Sequence, residues 1–141
     1  MKKVAIVFWS GTGNTEAMAK LVEQGVQKAG GEAKLYTAAE FTPAEAAQYS
    51  AIAMGCPAMG AEVLEETEFQ PMYDNVRSAL SGKSLGLFGS YGWGDGQWMR
   101  DWAEDAESAG AAIVNEPVMV CGAPEGSDAD ACVALGEALA N

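Results

Sequence analysis

Val4-Ala5-Ile6-Val7-Phe8-Trp9 runs straight into Ser10-Gly11-Thr12-Gly13-Asn14-Thr15, an unbroken apolar run that empties into glycines and hydroxyls. The run has the length and the β-branched and aromatic content of a strand buried on both faces. Met18, Leu21, Val22, Gly25 and Ala29 then recur at helical spacing, so the stretch predicts strand, loop, helix. A phosphate at the start of that helix meets backbone N–H groups without intrahelical partners, the positive end of the helix dipole, and the hydroxyls of Ser10, Thr12 and Thr15. The loop carries no Lys or Arg, so any such site is built from neutral donors. Two common phosphate loops fit badly. A Walker loop requires Lys after its last glycine, where this chain has Asn14, and the dinucleotide pattern begun by Gly11 and Gly13 fails at Glu16. A mononucleotide phosphate remains, with an ordinary strand–helix turn capped by hydroxyls as the alternative.

The same rhythm continues outward. Gly30-Gly31 stops the helix, and Ala33–Tyr36 reads as a second strand. Thr42-Pro43 reads as N-cap and first position of a short helical turn through Ala47, followed by a third strand over Ala51–Gly55. Pro71 opens a helix carrying Met72, Val76, Ala79 and Leu80 on one face, and Gly82 ends it. Ser84–Gly89 is the fourth strand, and a glycine-rich loop from Ser90 to Gly96 leads into a helix with Met99, Trp102, Ala103 and Ala106 inward. Ala112-Ile113-Val114 and Pro117-Val118-Met119-Val120 make an interrupted fifth strand, and Ser127 is expected to cap a last helix. Alternating strands and helices imply an α/β fold: a doubly wound parallel sheet with right-handed crossovers and helices on both faces. In such sheets ligands bind beyond the carboxyl ends of the strands, where the loops after strands one, three and four converge. No linker or repeat interrupts the chain, and its 141 residues suit a single domain, 1–141.

Composition narrows the chemistry. Twenty acidic and eight basic residues give a net charge of −12, which disfavours nucleic acid and anionic membranes and favours basic partners, or serves only to keep a monomer soluble. There is no histidine, which removes the commonest general base and most transition-metal sites. Cys56, Cys121 and Cys132 show no paired spacing and are expected as buried free thiols. Neither a signal segment nor a bilayer-spanning stretch is visible, so the expectation is a cytoplasmic protein.

The other two loops suit a flat heterocycle. In Pro57-Ala58-Met59-Gly60-Ala61-Glu62, a thioether stands beside a flexible peptide and a carboxylate that could accept a ring N–H. In Tyr91-Gly92-Trp93-Gly94, an indole on a glycine-flanked backbone could lie across a ring, although Tyr91 and Trp93 could also pack inward. Trp98 and Trp102 read as packing, and Phe8 and Trp9 as walls.

Taken together, Ser10-Gly11-Thr12-Gly13-Asn14-Thr15, Ala58-Met59-Gly60 and Gly89-Ser90-Tyr91-Gly92-Trp93-Gly94 closely resemble the motifs of short-chain bacterial flavodoxins, over the whole chain. The resemblance implies a five-stranded sheet in the order 2-1-3-4-5 with FMN at the switch point. It implies that Ser10, Gly11, Thr12, Gly13, Asn14 and Thr15 hold the FMN phosphate, that Met59 and Trp93 sandwich the ring, that Glu62 meets N3, and that Ala58, Gly60, Ser90, Tyr91 and Gly92 complete the site. The function implied is a low-potential one-electron carrier using the semiquinone/hydroquinone couple, with the Gly60 carbonyl accepting N5–H. Such a carrier is not an enzyme in its own right, and its partners would be ferredoxin-type reductases and oxidoreductases with basic docking patches. An FMN-dependent NAD(P)H reductase on the same fold is the alternative. Two departures stand out: Ala61 replaces the polar residue common after the Met-Gly pair, and Pro57 stands where some relatives carry a hydroxyl.

Overall fold

The computed structural model describes residues 2–11, 13–59, 64–92 and 96–141. Of the residues singled out above, Thr12, Gly60, Ala61, Glu62, Trp93 and Gly94 lie outside them.

Four strands, β1 (Lys3–Phe8), β2 (Glu32–Thr37), β3 (Ala51–Gly55) and β4 (Ser84–Tyr91), form a parallel sheet in the order β2-β1-β3-β4. The fifth position is shared: β5 (Ala112–Ile113) pairs with Ser84 and Leu85, and β6 (Val118–Cys121) pairs with Phe88 to Tyr91. Between them Asn115 takes a left-handed conformation, φ 60°, where the chain steps out of the sheet. The interrupted fifth strand stands as read from the sequence, and the order 2-1-3-4-5 as the resemblance implied, with the fifth position split into two strands.

Period-two alternation explains why β1 and β3 are apolar throughout. Ala5, Val7, Ile52 and Met54 face one core, and Val4, Ile6, Ala51 and Ala53 face the other. The first core is covered by α2 (Pro43–Ala46), α3 (Phe69–Val76) and α4 (Gln97–Ser108), with Phe69 packed edge-on against Trp102 at 5.4 Å between centroids. The second is covered by α1 (Asn14–Lys28) and α5 (Ser127–Ala140). These two helices meet backbone to backbone: a Cβ on Gly25 would stand 1.9 Å from the Val133 carbonyl oxygen, and one on Gly136 2.0 Å from that of Val22. Only glycine permits that approach.

Several boundaries differ from the sequence reading. α3 begins at Phe69 rather than Pro71, because Pro71 tolerates any position in a first turn whose N–H groups have no helical acceptor. Ser90 and Tyr91 belong to β4, not to a loop, since β6 offers them partners in Val120 and Cys121. Ser127 is the first residue of α5 and its side chain makes no cap bond; Gly126 precedes it. Leu21, Ala29 and Ala103 are half-buried, whereas Trp98 is fully packed inside as expected. Cys56 and Cys132 are buried, but Cys121 is exposed because outward positions alternate along β6. No helix among the described residues is long and apolar enough to cross a membrane.

Candidate functional site

The carboxyl ends of β1, β3 and β4 are tied together beyond the last ladder residues. Trp9 N–H donates to the Gly55 carbonyl at 3.0 Å, Cys56 N–H to Phe88 at 3.2 Å, and Ala58 N–H to Ser90 at 3.0 Å. Three loops are thereby brought to one cleft of about 300 Å³. Gly11, Asn14 and Thr15 line it from the first loop, Ala58 and Met59 from the second, and Ser90, Tyr91 and Gly92 from the third. Every described residue of the expected site except Ser10 and Gly13 thus lines one cavity, and those two hold its floor.

That floor is the start of α1. Gly13 is the N-cap residue with φ 98°, a left-handed conformation that turns the chain sharply into the helix. The Ser10 hydroxyl accepts hydrogen bonds from the Gly13 amide at 3.1 Å and the Glu16 amide at 3.3 Å. With its oxygen used as an acceptor, its proton is left to donate outward. The first amides of α1, Asn14 and Thr15 among them, belong to the set that a helix leaves without internal acceptors. Thr15 is 1 % exposed and Ser90 5 %, and their hydroxyls share a 3.1 Å hydrogen bond. The pair carries two protons and uses one internally, leaving one donor.

The walls are apolar. Trp9 leans on the first loop so closely that a Cβ on Gly11 would meet its ring at 3.1 Å, and its Nε1 donates to Glu68 Oε1 at 3.1 Å. Ala58 and Tyr91 pack on the α3–α4 core, and Tyr91 tilts against Trp98 at 5.6 Å. Amides and hydroxyls at a helix N-terminus fit a phosphate, and a slot walled by Trp9, Met59 and Tyr91 fits a planar ring. The donor chemistry of these residues therefore fits FMN.

Behind the site, Cys56 is the common anchor of two loops. Its carbonyl accepts the Trp98 indole N–H at 3.2 Å, and its sulfur accepts the Glu65 amide at 3.3 Å. Gly89 makes this possible, since a Cβ there would lie 2.2 Å from that same carbonyl oxygen. Burial pushes the Cys56 thiol up to about 12, which keeps it a neutral packing group. Glu65 caps α3 from outside the helix: its carboxylate accepts from the Glu68 amide at 2.7 Å, the Phe69 amide at 2.9 Å, the Thr67 amide at 2.9 Å, and the Thr67 hydroxyl. Burial opposes its charge, but the hydroxyl and the three amides outweigh that and hold its pKa at about 2.

Sequence reading missed two contributors, Gly122 and Glu65. Gly122 lines the cleft from the end of β6, and the rule that every strand's carboxyl end faces the crevice would have found it. Pro57, noted in the sequence as standing where some relatives carry a hydroxyl, lines it too and offers no donor. Glu65 carries no local sign of a cap, because it stands outside the helix it serves.

Comparison with known proteins agrees with this geometry. The family model described as Flavodoxin matches residues 6–136. The chain is 42 % identical over 136 residues to a flavodoxin of Clostridium beijerinckii, covering 96 % of this chain and 98 % of that protein. It is 45 % identical over 142 residues to a flavodoxin of Megasphaera elsdenii, covering 97 % and 98 %. The solution structure of two-electron reduced Megasphaera elsdenii flavodoxin superposes with a TM-score of 0.91 at 42 % identity, again over 97 % of this chain and 98 % of the other.

Proposed function

Because this chain belongs to the flavodoxin family, an FMN-bound electron carrier and not a substrate-converting enzyme, we propose that it works at low potential, moving single electrons between redox proteins in the cytoplasm as one FMN-binding unit over residues 1–141. The observation that carries this reading is the cleft itself: a ring-sized apolar slot that ends on a cradle of neutral donors. Bound FMN supplies one-electron chemistry at its ring. The residues of this chain supply position and environment.

Ser10, Thr12, Asn14 and Thr15 grip the phosphate, with Gly11 and Gly13 shaping the loop. The Thr15–Ser90 hydroxyl pair fixes the cradle to β4, so that phosphate and ring seats keep a constant separation. In this reading Met59 and Trp93 sandwich the ring, Glu62 meets N3, and Ala58, Gly60, Ser90, Tyr91 and Gly92 complete the seat. A phosphate dianion held without a protein cation leaves the site negative. Adding an electron to such a site is unfavourable, and that lowers the potential of the second electron. Half-buried Trp9, Met59 and Tyr91 exclude water from the ring and strengthen the effect.

The test is an anaerobic reductive titration of the FMN-loaded protein. Stoichiometric uptake of FMN, two separate one-electron steps, and a second midpoint below that of free FMN are expected. A protein that ignores FMN, or one whose bound FMN is bleached directly by NADPH without a reductase, would overturn the reading.

A further inference from the structure

On the α4 side of the sheet lies a groove of about 610 Å³ that the cofactor site does not use. Its origin is the interrupted fifth strand. In β6, Val118 and Val120 point into the α1–α5 core, so Met119 between them must point to the opposite face, toward α4. There it is 40 % exposed, the one exposed large hydrophobic side chain among the described residues. Met99 and Ala103, one helical turn apart on α4, make the facing wall, and Pro117 closes one end. Glu104, Glu107 and Glu116 stand at the rim, all exposed, against a single Arg100. An apolar floor ringed by excess negative charge is thus presented to solvent.

The groove and the cleft share no lining residue, but β6 brings them close together. Met119 lies against the residue that ends the third loop: a Cβ on Gly96 would stand 2.6 Å from its sulfur. Three residues further along the chain, Gly122 lines the cofactor cleft, a separation of about 10 Å at strand rise. Anything seated on Met119 is therefore held about 10 Å along β6 from the cleft.

We propose that this groove is the docking seat for the electron-transfer partner, and that the partner inserts an apolar side chain flanked by Lys or Arg between α4 and β6. The inference rests on the electron-carrier reading and adds where and by what chemistry the partner is held. Charge selects this occupant. A second copy of the chain brings another −12 and another glutamate rim, and an anionic lipid surface is repelled in the same way. A basic protein face gains from the rim in steering and from Met119 in burial.

The test uses cytochrome c, a basic haem protein, as probe acceptor for the reduced FMN-loaded protein. Two triple variants carry the same change in net charge: E104K/E107K/E116K at the groove, and E23K/E32K/D130K on the α1–α5 side and at the amino end of β2. At an ionic strength of about 0.01 M the groove variant should reduce cytochrome c at least tenfold more slowly than wild type, and the control less than threefold. The difference should vanish near 1 M, where charges are screened within about 3 Å. Calorimetric binding of the oxidised protein to cytochrome c should weaken in parallel, and Met119→Ala should weaken it about fivefold at any salt concentration. Reduction of benzoquinone, small and neutral, should be unchanged throughout. E104Q/E107Q/E116Q gives the same ranking with a smaller effect should the lysine variant fold poorly. Equal slowing by both lysine triples overturns the proposal, because net charge alone would then steer the encounter. So does concentration-dependent dimerisation through Met119 in sedimentation. Either result leaves FMN uptake and the two-step titration intact, so failure of the groove is separable from failure of the carrier reading.

Discussion

Glu65→Gln isolates a single charge behind the cofactor site. The carboxylate gathers the amides of Thr67, Glu68 and Phe69 and thereby fixes the start of α3, and its pKa falls from an ordinary 4.5 to about 2. At 1.36 kcal/mol per pKa unit this drop is worth at most about 3.4 kcal/mol. Its sequence neighbours Glu66, Thr67 and Glu68 are exposed, so solvent screening reduces the contribution to about 2 kcal/mol. A folded-state value below the unfolded one stabilises the protein above pH 4.5, and the contribution is lost as pH falls from there toward 2. Urea unfolding of wild type and Glu65→Gln, each with the same excess of FMN, should differ by about 2 kcal/mol at pH 7. By about pH 3 more than half of that difference should be gone. A gap that stays constant between pH 7 and pH 3 would mean that shape rather than charge is what Glu65 supplies, and would refute the reasoning.

Two further outcomes follow from the site and the thiols. Ser10→Ala removes the acceptor of the Gly13 and Glu16 amides together with one outward donor, a loss of about 1.4 kcal/mol or tenfold in FMN affinity, while riboflavin, which lacks the phosphate, should bind as before; fluorescence titrations with both flavins check this, and equal weakening of the two would count against a phosphate cradle. Of the three cysteines, only exposed Cys121 should react promptly with a disulfide reagent in the native protein, because burial pushes the thiols of Cys56 and Cys132 up to about 12; release of one equivalent when folded and three in urea is expected, and more than one prompt equivalent would contradict their burial.

The parts of this molecule legible in the sequence are those governed by local rules. The strand–loop–helix at Val4–Lys28 is spelled out by a hydrophobic run, a left-handed glycine and helical periodicity, each decided within a few residues. The broken fifth strand was legible for the same reason, since its two apolar pieces are separated by residues that leave the sheet. What escaped depends on partners distant in sequence. Ser90 and Tyr91 read as loop because glycines surround them, and they become strand only through Val120 and Cys121, some thirty residues away. The cap on α3 escaped because a glutamate four residues before Phe69 has no short-range signature. Within the site, hydroxyl and glycine content pointed to the first loop as a proposed phosphate cradle, whereas the role of Cys56 as anchor for Trp98 and Glu65 exists only once β3 and β4 have closed on each other at Gly89.

The glycine contact between α1 and α5 has a reach that its position conceals. Gly25 lies three turns, about 16 Å, down α1 from Asn14, and a helix of that length moves as a stiff rod. A methyl group at Gly25 or Gly136 cannot be absorbed by a side chain stepping aside, because what it strikes is the carbonyl of Val133 or Val22. One of the two rods must shift, and the far end of α1 is the proposed phosphate seat. These two positions therefore act as a remote aiming screw: substitutions there, nowhere near the flavin, would register in a screen as defects of flavin capture, and a map of loss-of-function variants would draw the boundary of the cofactor site well outside the residues that touch it.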